Sequence, residues 1–131
     1  MTGGRQENLS CIGQIAVPVK DIERATAFYR DVLGMPFLFS TGTLSFFDCN
    51  GVRLMLDVPE SQRFDHPASI IYYRVDDIRA VTARLKGEGV TVLGEPALVA
   101  AMPDHDLWMA FFEDTEENVF ALMSEALRES H

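Results

Sequence analysis

The chain has 131 residues, 47% of them hydrophobic, which suits one domain or two fused half-units with a substantial core. Its formal net charge of −9 excludes the basic face that nucleic-acid binding requires, and speaks first for a solvated acidic surface. No stretch approaches the roughly 18 apolar residues of a membrane span.

The first ten residues are Gly-rich and polar, without the apolar run of a signal peptide, and residues 1–10 are expected to form a disordered tail. Cys11 and Cys49 have neither disulfide-framework nor zinc spacing, and are expected to be reduced core thiols of a cytoplasmic protein. Ile12 to Val19 alternates in the manner of a strand, with Pro18 marking an edge or an ending. Asp21 is a candidate helix cap, and Ile22, Ala25, Phe28, Tyr29, Val32 and Leu33 then recur at helical spacing until Gly34. Phe37-Leu38-Phe39 reads as a short strand and Thr41-Gly42 as a turn. Leu44 to Cys49 and Val52 to Val58 form two strands around the Asn50-Gly51 hairpin signal.

Residues 60–67 are the expected linker. Ser69 to Val75 is the next strand, and Asp76 or Asp77 caps a helix carrying Ile78, Val81 and Leu85. Gly87 and Gly89 end it. Val90 to Val92 is a strand that can resume through Ala97 to Ala101, and Met102 to Asp106 reads as a loop. Leu107 to Phe112 and Asn118 to Met123 are the last two strands; Ser124 onward reads as a charged terminal helix, with 126–131 as a tail.

The two halves repeat. A shift of 56 positions sets Val19 on Val75, Asp21 on Asp77 and Ile22 on Ile78. Phe46-Phe47-Asp48 likewise resembles Phe111-Phe112-Glu113. The expected fold is therefore α+β, with two β-α-β-β-β units (residues 11–59 and 68–125) in one domain spanning 11–125. One such unit cannot bury both faces of its short sheet, so two should pair as a cupped mixed sheet around a cavity, helices outside.

Several motifs carry a resemblance: Val17-Pro18-Val19-Lys20-Asp21, Phe28-Tyr29-Arg30-Asp31-Val32-Leu33-Gly34-Met35, Val75-Asp76-Asp77-Ile78, and the Phe111-Phe112-Glu113-Asp114 turn. Over about Ile12 to Glu125 the chain resembles the vicinal oxygen chelate superfamily. That superfamily includes glyoxalase I, extradiol dioxygenases, fosfomycin-resistance enzymes, methylmalonyl-CoA epimerase and bleomycin-resistance proteins. The resemblance implies a homodimer and a metal site with one ligand from each of four strands. Its four places fall on Gln14, Met55, Ile70 and Ala121. Divalent ions in such sites want imidazole or carboxylate, so no metal and no cofactor is expected.

With the strand parity of that family, the cavity face carries Gln14, Ala16, Arg53, Met55, Asp57, Ile70, Tyr72, Arg74, Met109, Phe111, Val119 and Ala121. A mostly apolar lining with few polar groups is how small-molecule pockets are built; the same residues can also simply fill a core. In that family, Arg74 stands where a substrate carboxylate is held, and a surface ion pair serves it equally. Trp108 is expected against a helix. His105, between Asp104 and Asp106, is a candidate general base with Asp106, and also reads as an exposed loop residue. His66 and His105 together with Asp104 or Asp106 form an alternative metal set. Three functions stay open: a metal-free small-molecule binder; a lyase, isomerase or dioxygenase using a non-standard site around His105, Asp106 and Gln14; and a regulatory module.

Overall fold

The computed structural model describes residues 9–127. The first half runs β1 (Gln14–Pro18), α1 (Ile22–Ala27), β2 (Phe37–Thr41), β3 (Leu44–Cys49) and β4 (Val52–Asp57). The second runs β5 (Ile71–Arg74), α2 (Ile78–Gly87), β6 (Thr91–Ala101), β7 (His105–Glu113) and β8 (Val119–Leu127). Each half makes a four-stranded mixed sheet, ordered β1-β4-β3-β2 and β5-β8-β7-β6. In both, the first strand lies parallel to the last and the other pairings are antiparallel. The fold is α+β, and the repeat read from the sequence is the repeat of the architecture.

Its register agrees residue by residue. Ala16 pairs with Met55, and Tyr72, 56 positions after Ala16, pairs with Ala121. Asp21 caps α1 by accepting from Arg24 N, and Asp77 caps α2 by accepting from Ala80 N. After Ala27 the first helix widens into a π-helical turn, Phe28–Val32, which ends at Gly34 with φ 72°. The β3–β4 hairpin turns on Asn50 and Gly51 at φ 51° and 94°, a left-handed pair that only such residues adopt cheaply.

Strand alternation then sorts the side chains. Val17, Phe47, Leu54 and Leu56 point to the helices and are buried, as are Ala110, Phe112, Phe120 and Leu122 in the second half. The two halves share this core. The Phe28 ring meets Phe120 edge-on at 6.3 Å, and Phe112 stacks on Phe120 at 5.4 Å. The opposite faces of the sheets stay open.

A polar clasp closes the seam. The Glu116 carboxylate is fully covered and accepts from the backbone N–H groups of Lys20 (2.8 Å) and Asp21 (2.9 Å), from Arg24 Nε (2.7 Å), and from the Thr115 hydroxyl. Beside it the buried Tyr29 hydroxyl donates to Asp114 at 2.7 Å, and Asn118 Nδ2 donates to the Pro18 carbonyl at 2.9 Å. These groups lie on opposite halves, so burying them unpaired would be costly and pairing them fixes the halves together.

Several expectations need correction. β1 starts at Gln14 rather than Ile12, and β5 at Ile71 rather than Ser69. β6 is one edge strand with register shifts around Gly94 and Leu98, not two pieces; as an edge it tolerates Pro96. His105 and Asp106 belong to β7, not to a loop. They pair with Leu127 and Ala126, which turns the expected terminal helix after Ser124 into strand and carries the domain past 125. Tertiary pairing overrides a helical charge pattern there. Cys11 is exposed rather than in the core, while Cys49 is half-buried; both are free thiols. Burial, then Asp48, pushes the Cys49 thiol up. Residues 9 and 10 of the expected tail are described and exposed; residues 1–8 and 128–131 lie outside the described part.

Candidate functional site

On the open face of the first sheet, the side chains form one connected group. Arg53 and Gln14 are neighbours across the β1–β4 pair. Arg53 Nε donates to Gln14 Oε1 at 2.9 Å, and Gln14 Nε2 donates to Met55 Sδ at 3.6 Å. The Arg53 guanidinium lies 5.7 Å over the Phe46 ring, and Phe46 stacks on Phe39 at 4.5 Å. Ala16 and Asp57 share this face. In the sequence Phe39 and Phe46 read as strand residues and not as part of the expected lining. Alternation back from the Asn50-Gly51 turn sets Phe46 opposite Met55, a signal that was there to use.

The open face of the second sheet is also aromatic. The Tyr72 and Phe111 rings meet edge-to-face at 5.9 Å, with Ala121 between them in register. Ala121 is consequently fully buried and offers no surface to a ligand. Met109 pairs with Met123, which pairs with Arg74. Arg74 is not poised alone: its Nη2 holds Glu125 at 3.0 Å. Glu125 also faces His105 Nε2 at 3.3 Å, and His105 Nδ1 is 2.7 Å from Asp104.

A cleft of about 520 Å³ opens at the seam, lined by Pro18, Val19 and Lys20, by Asp65 to Ala68 and Ile70, and by Glu116 to Val119. Ile70 and Val119 of the expected lining are here, so the twelve residues are divided between two open faces and one cleft. His66 lines the cleft, its Nδ1–H donating to the Pro67 carbonyl at 3.0 Å. His105 starts the nine-residue β7, whose other end, Glu113, adjoins the turn at the cleft. Some 26 Å of strand separates those ends, so His66 and His105 do not form one metal set. Trp108, as expected, lies against a helix: Arg79 of α2 sits 5.1 Å over its ring.

Charge is concentrated at the seam. Burial alone would raise the Glu116 pKa, but the Arg24 guanidinium and the backbone N–H groups outweigh it and hold the carboxyl down at about 2. Burial, reinforced by Asp114, pushes the Tyr29 hydroxyl well above the ordinary phenol value. These groups are spent on structure.

The donor set does not fit a divalent ion. Of the four places that the resemblance implies, Gln14 has its amide oxygen turned to a guanidinium, Met55 supplies a thioether that already accepts from Gln14, and Ile70 and Ala121 are alkyl. Among the described residues no three His, Cys, Asp or Glu side chains gather as a metal site, and no helix is long and apolar enough to cross a membrane.

The backbone is shared with solved structures. A lactoylglutathione lyase from Agrobacterium tumefaciens is 25% identical with TM-score 0.71, covering 88% of this chain and 93% of that one. TnmS3, an antibiotic binding protein from Streptomyces sp. CB03234, is 26% identical with TM-score 0.69, covering 91% and 98%. An integron cassette protein from the mobile metagenome of V. cholerae matches the fold at TM-score 0.73 and 18% identity, covering 89% and 96%. The family model for the glyoxalase/bleomycin resistance protein/dioxygenase superfamily matches residues 11–122, and the chain belongs to that superfamily.

Proposed function

We propose that this chain is a metal-free, cytoplasmic binder of small organic molecules, working as a homodimer. The observation that carries the reading is the Gln14 amide: its oxygen accepts from Arg53 and its nitrogen donates to Met55, at the place where this fold otherwise puts a metal ligand. An amide held this way, with only thioether and alkyl companions, leaves a divalent ion's charge uncompensated. The aromatic pairs on both open faces suit a flat ligand instead. The antibiotic binding protein of similar fold is consistent with this reading.

The dimer is supported by the sheet edges. Every residue of β2 is exposed, Leu38 and Phe39 among them, and β6 exposes Leu93, Leu98 and Val99. Unprotected apolar edges of this kind seek a partner strand or surface. Sedimentation at micromolar concentration should give twice 14.6 kDa; a monomer would overturn the dimer.

The second reading is a lyase, isomerase or dioxygenase using His105, Asp106 and Gln14. The Arg74–Glu125–His105–Asp104 chain of contacts favours it, because it places a histidine between acids on a strand. Gln14 stands in the other sheet, which counts against a single site. Elemental analysis of protein purified without chelator separates the readings. The expected result is no stoichiometric metal. About one equivalent of Fe, Ni, Zn or Mn per chain, lost on Gln14→Ala, would put the enzyme first.

A further inference from the structure

We infer that Arg53 is the ligand-selecting group of the first sheet: it receives an ionised oxygen, carboxylate or phenolate, carried by a flat conjugated ligand that lies along the Phe39–Phe46 stack. The inference rests on the small-molecule reading above and specifies its ligand class.

Charge bookkeeping narrows the choice: among the described residues Arg53, Arg63 and Arg79 make no ion pair, but Arg63 lies in the linker and Arg79 packs over Trp108, which leaves Arg53 on an open face. The chain has 20 acidic residues against 11 Lys and Arg, so cations should find carboxylates easily. Lys20, Arg24, Arg30, Arg74, Arg84 and Lys86 all do. Arg53 forms no ion pair among the described residues, although Asp48 is its cross-strand neighbour. Asp48 Oδ1 is instead turned to the Gly51 N–H at 3.0 Å, where it braces the hairpin. Asp57 shares the face but stands four residues along β4, roughly 13 Å away.

The guanidinium is also held in place. Nε is anchored on Gln14 Oε1 at 2.9 Å and the group lies 5.7 Å over Phe46. Neither terminal nitrogen makes a hydrogen bond among the described residues. A planar fork fixed at two points and offering its outer N–H groups is the geometry that binds an acidic oxygen, in one or two parallel bonds. The aromatic rings beside it give the rest of the ligand a stacking surface. The same placement sets the electrostatics at the position where the resemblance implies a metal ligand. A cation at 2.9 Å from the Gln14 oxygen repels a divalent ion and attracts an anion.

The test uses 2-naphthoate and 2-naphthamide, two flat probes of near-equal shape that differ in charge, titrated calorimetrically into the full chain at pH 7. Wild type should bind the naphthoate about tenfold to a hundredfold more tightly than the amide, the range of a charge-assisted hydrogen bond. Arg53→Gln should remove that preference, chiefly by weakening naphthoate binding, and Arg53→Lys should restore part of it. Because Arg53 is exposed, the folded state of each variant is checked by its melting curve. Equal affinity for the two probes in wild type, or a preference that survives in Arg53→Gln, overturns the assignment and leaves the small-molecule reading standing. Binding of neither probe up to millimolar concentration counts against that reading and takes the inference down with it.

Discussion

In the first half, the β1–β4 pair sets Gln14 beside Arg53 and Ala16 beside Met55; in the second, the β5–β8 pair sets Tyr72 beside Ala121 and Arg74 beside Met123. The scaffolds are the same; the open faces share an aromatic pair each but differ in the polar groups beside it. The helix sides, by contrast, match closely: Phe47 and Phe112 are both fully buried, and Asp21 and Asp77 both cap their helices. Residues that fill the core and cap the helices are bound to the backbone they stabilise. Residues on the open face contribute less to folding and are free to diverge toward a ligand.

This contrast can be broken experimentally. The largest effects should come from Phe47→Ala and Phe112→Ala, each costing about 3–5 kcal/mol in urea unfolding through the cavity left behind. Phe46→Ala and Phe111→Ala, one residue earlier on the open faces, should cost far less and weaken ligand binding instead. If Phe46 and Phe47 cost the same, the division into core and open face is wrong.

The seam comes next. Glu116 has its folded pKa depressed to about 2, below the ordinary 4.5. Its contribution is therefore present above pH 4.5 and lost as pH falls toward 2, on the order of 3 kcal/mol in all. Glu116→Gln should lower stability at pH 7 and flatten the acid limb of the stability curve. An unchanged acid limb would mean that another carboxylate governs it.

The caps sharpen the comparison. Asp21→Ala and Asp77→Ala should each cost about 1 kcal/mol, since each removes one side-chain bond to a helix N–H. A cost at Asp21 several times that at Asp77 would show that the charge of the Asp21 carboxylate beside Arg24, not the cap, dominates there. The smallest effect is expected for His105→Ala. Glu125 keeps Arg74, so stability should move by about 0.5 kcal/mol and naphthoate affinity not at all. Loss of binding in that variant would favour the His105-centred enzyme reading.

What was legible in the sequence follows from local physics. The Asp caps, the helical spacing after them, the Asn50-Gly51 turn and the 56-residue shift each depend on residues near one another in the chain, and they fix the repeated β-α-β-β-β pattern. Alternation within a strand also groups Gln14 with Arg53 and Met55 on one sheet, and Tyr72 with Phe111 on the other. What local pattern could not contain is pairing between distant segments. Residues 105–106 and 124–127 become strand because each supplies the other's hydrogen bonds. Ala121 is shut away because Tyr72 and Phe111 arrive from two other strands. Glu116 and Asp114 look like ordinary turn acids until α1 and the π-helical turn after it bring Arg24 and Tyr29 onto them. The guanidinium of Arg53 takes its direction from Gln14 and Phe46, distant in sequence and adjacent only in the sheet. Long-range burial and strand register, which no short window of sequence encodes, decided the chemistry of the site.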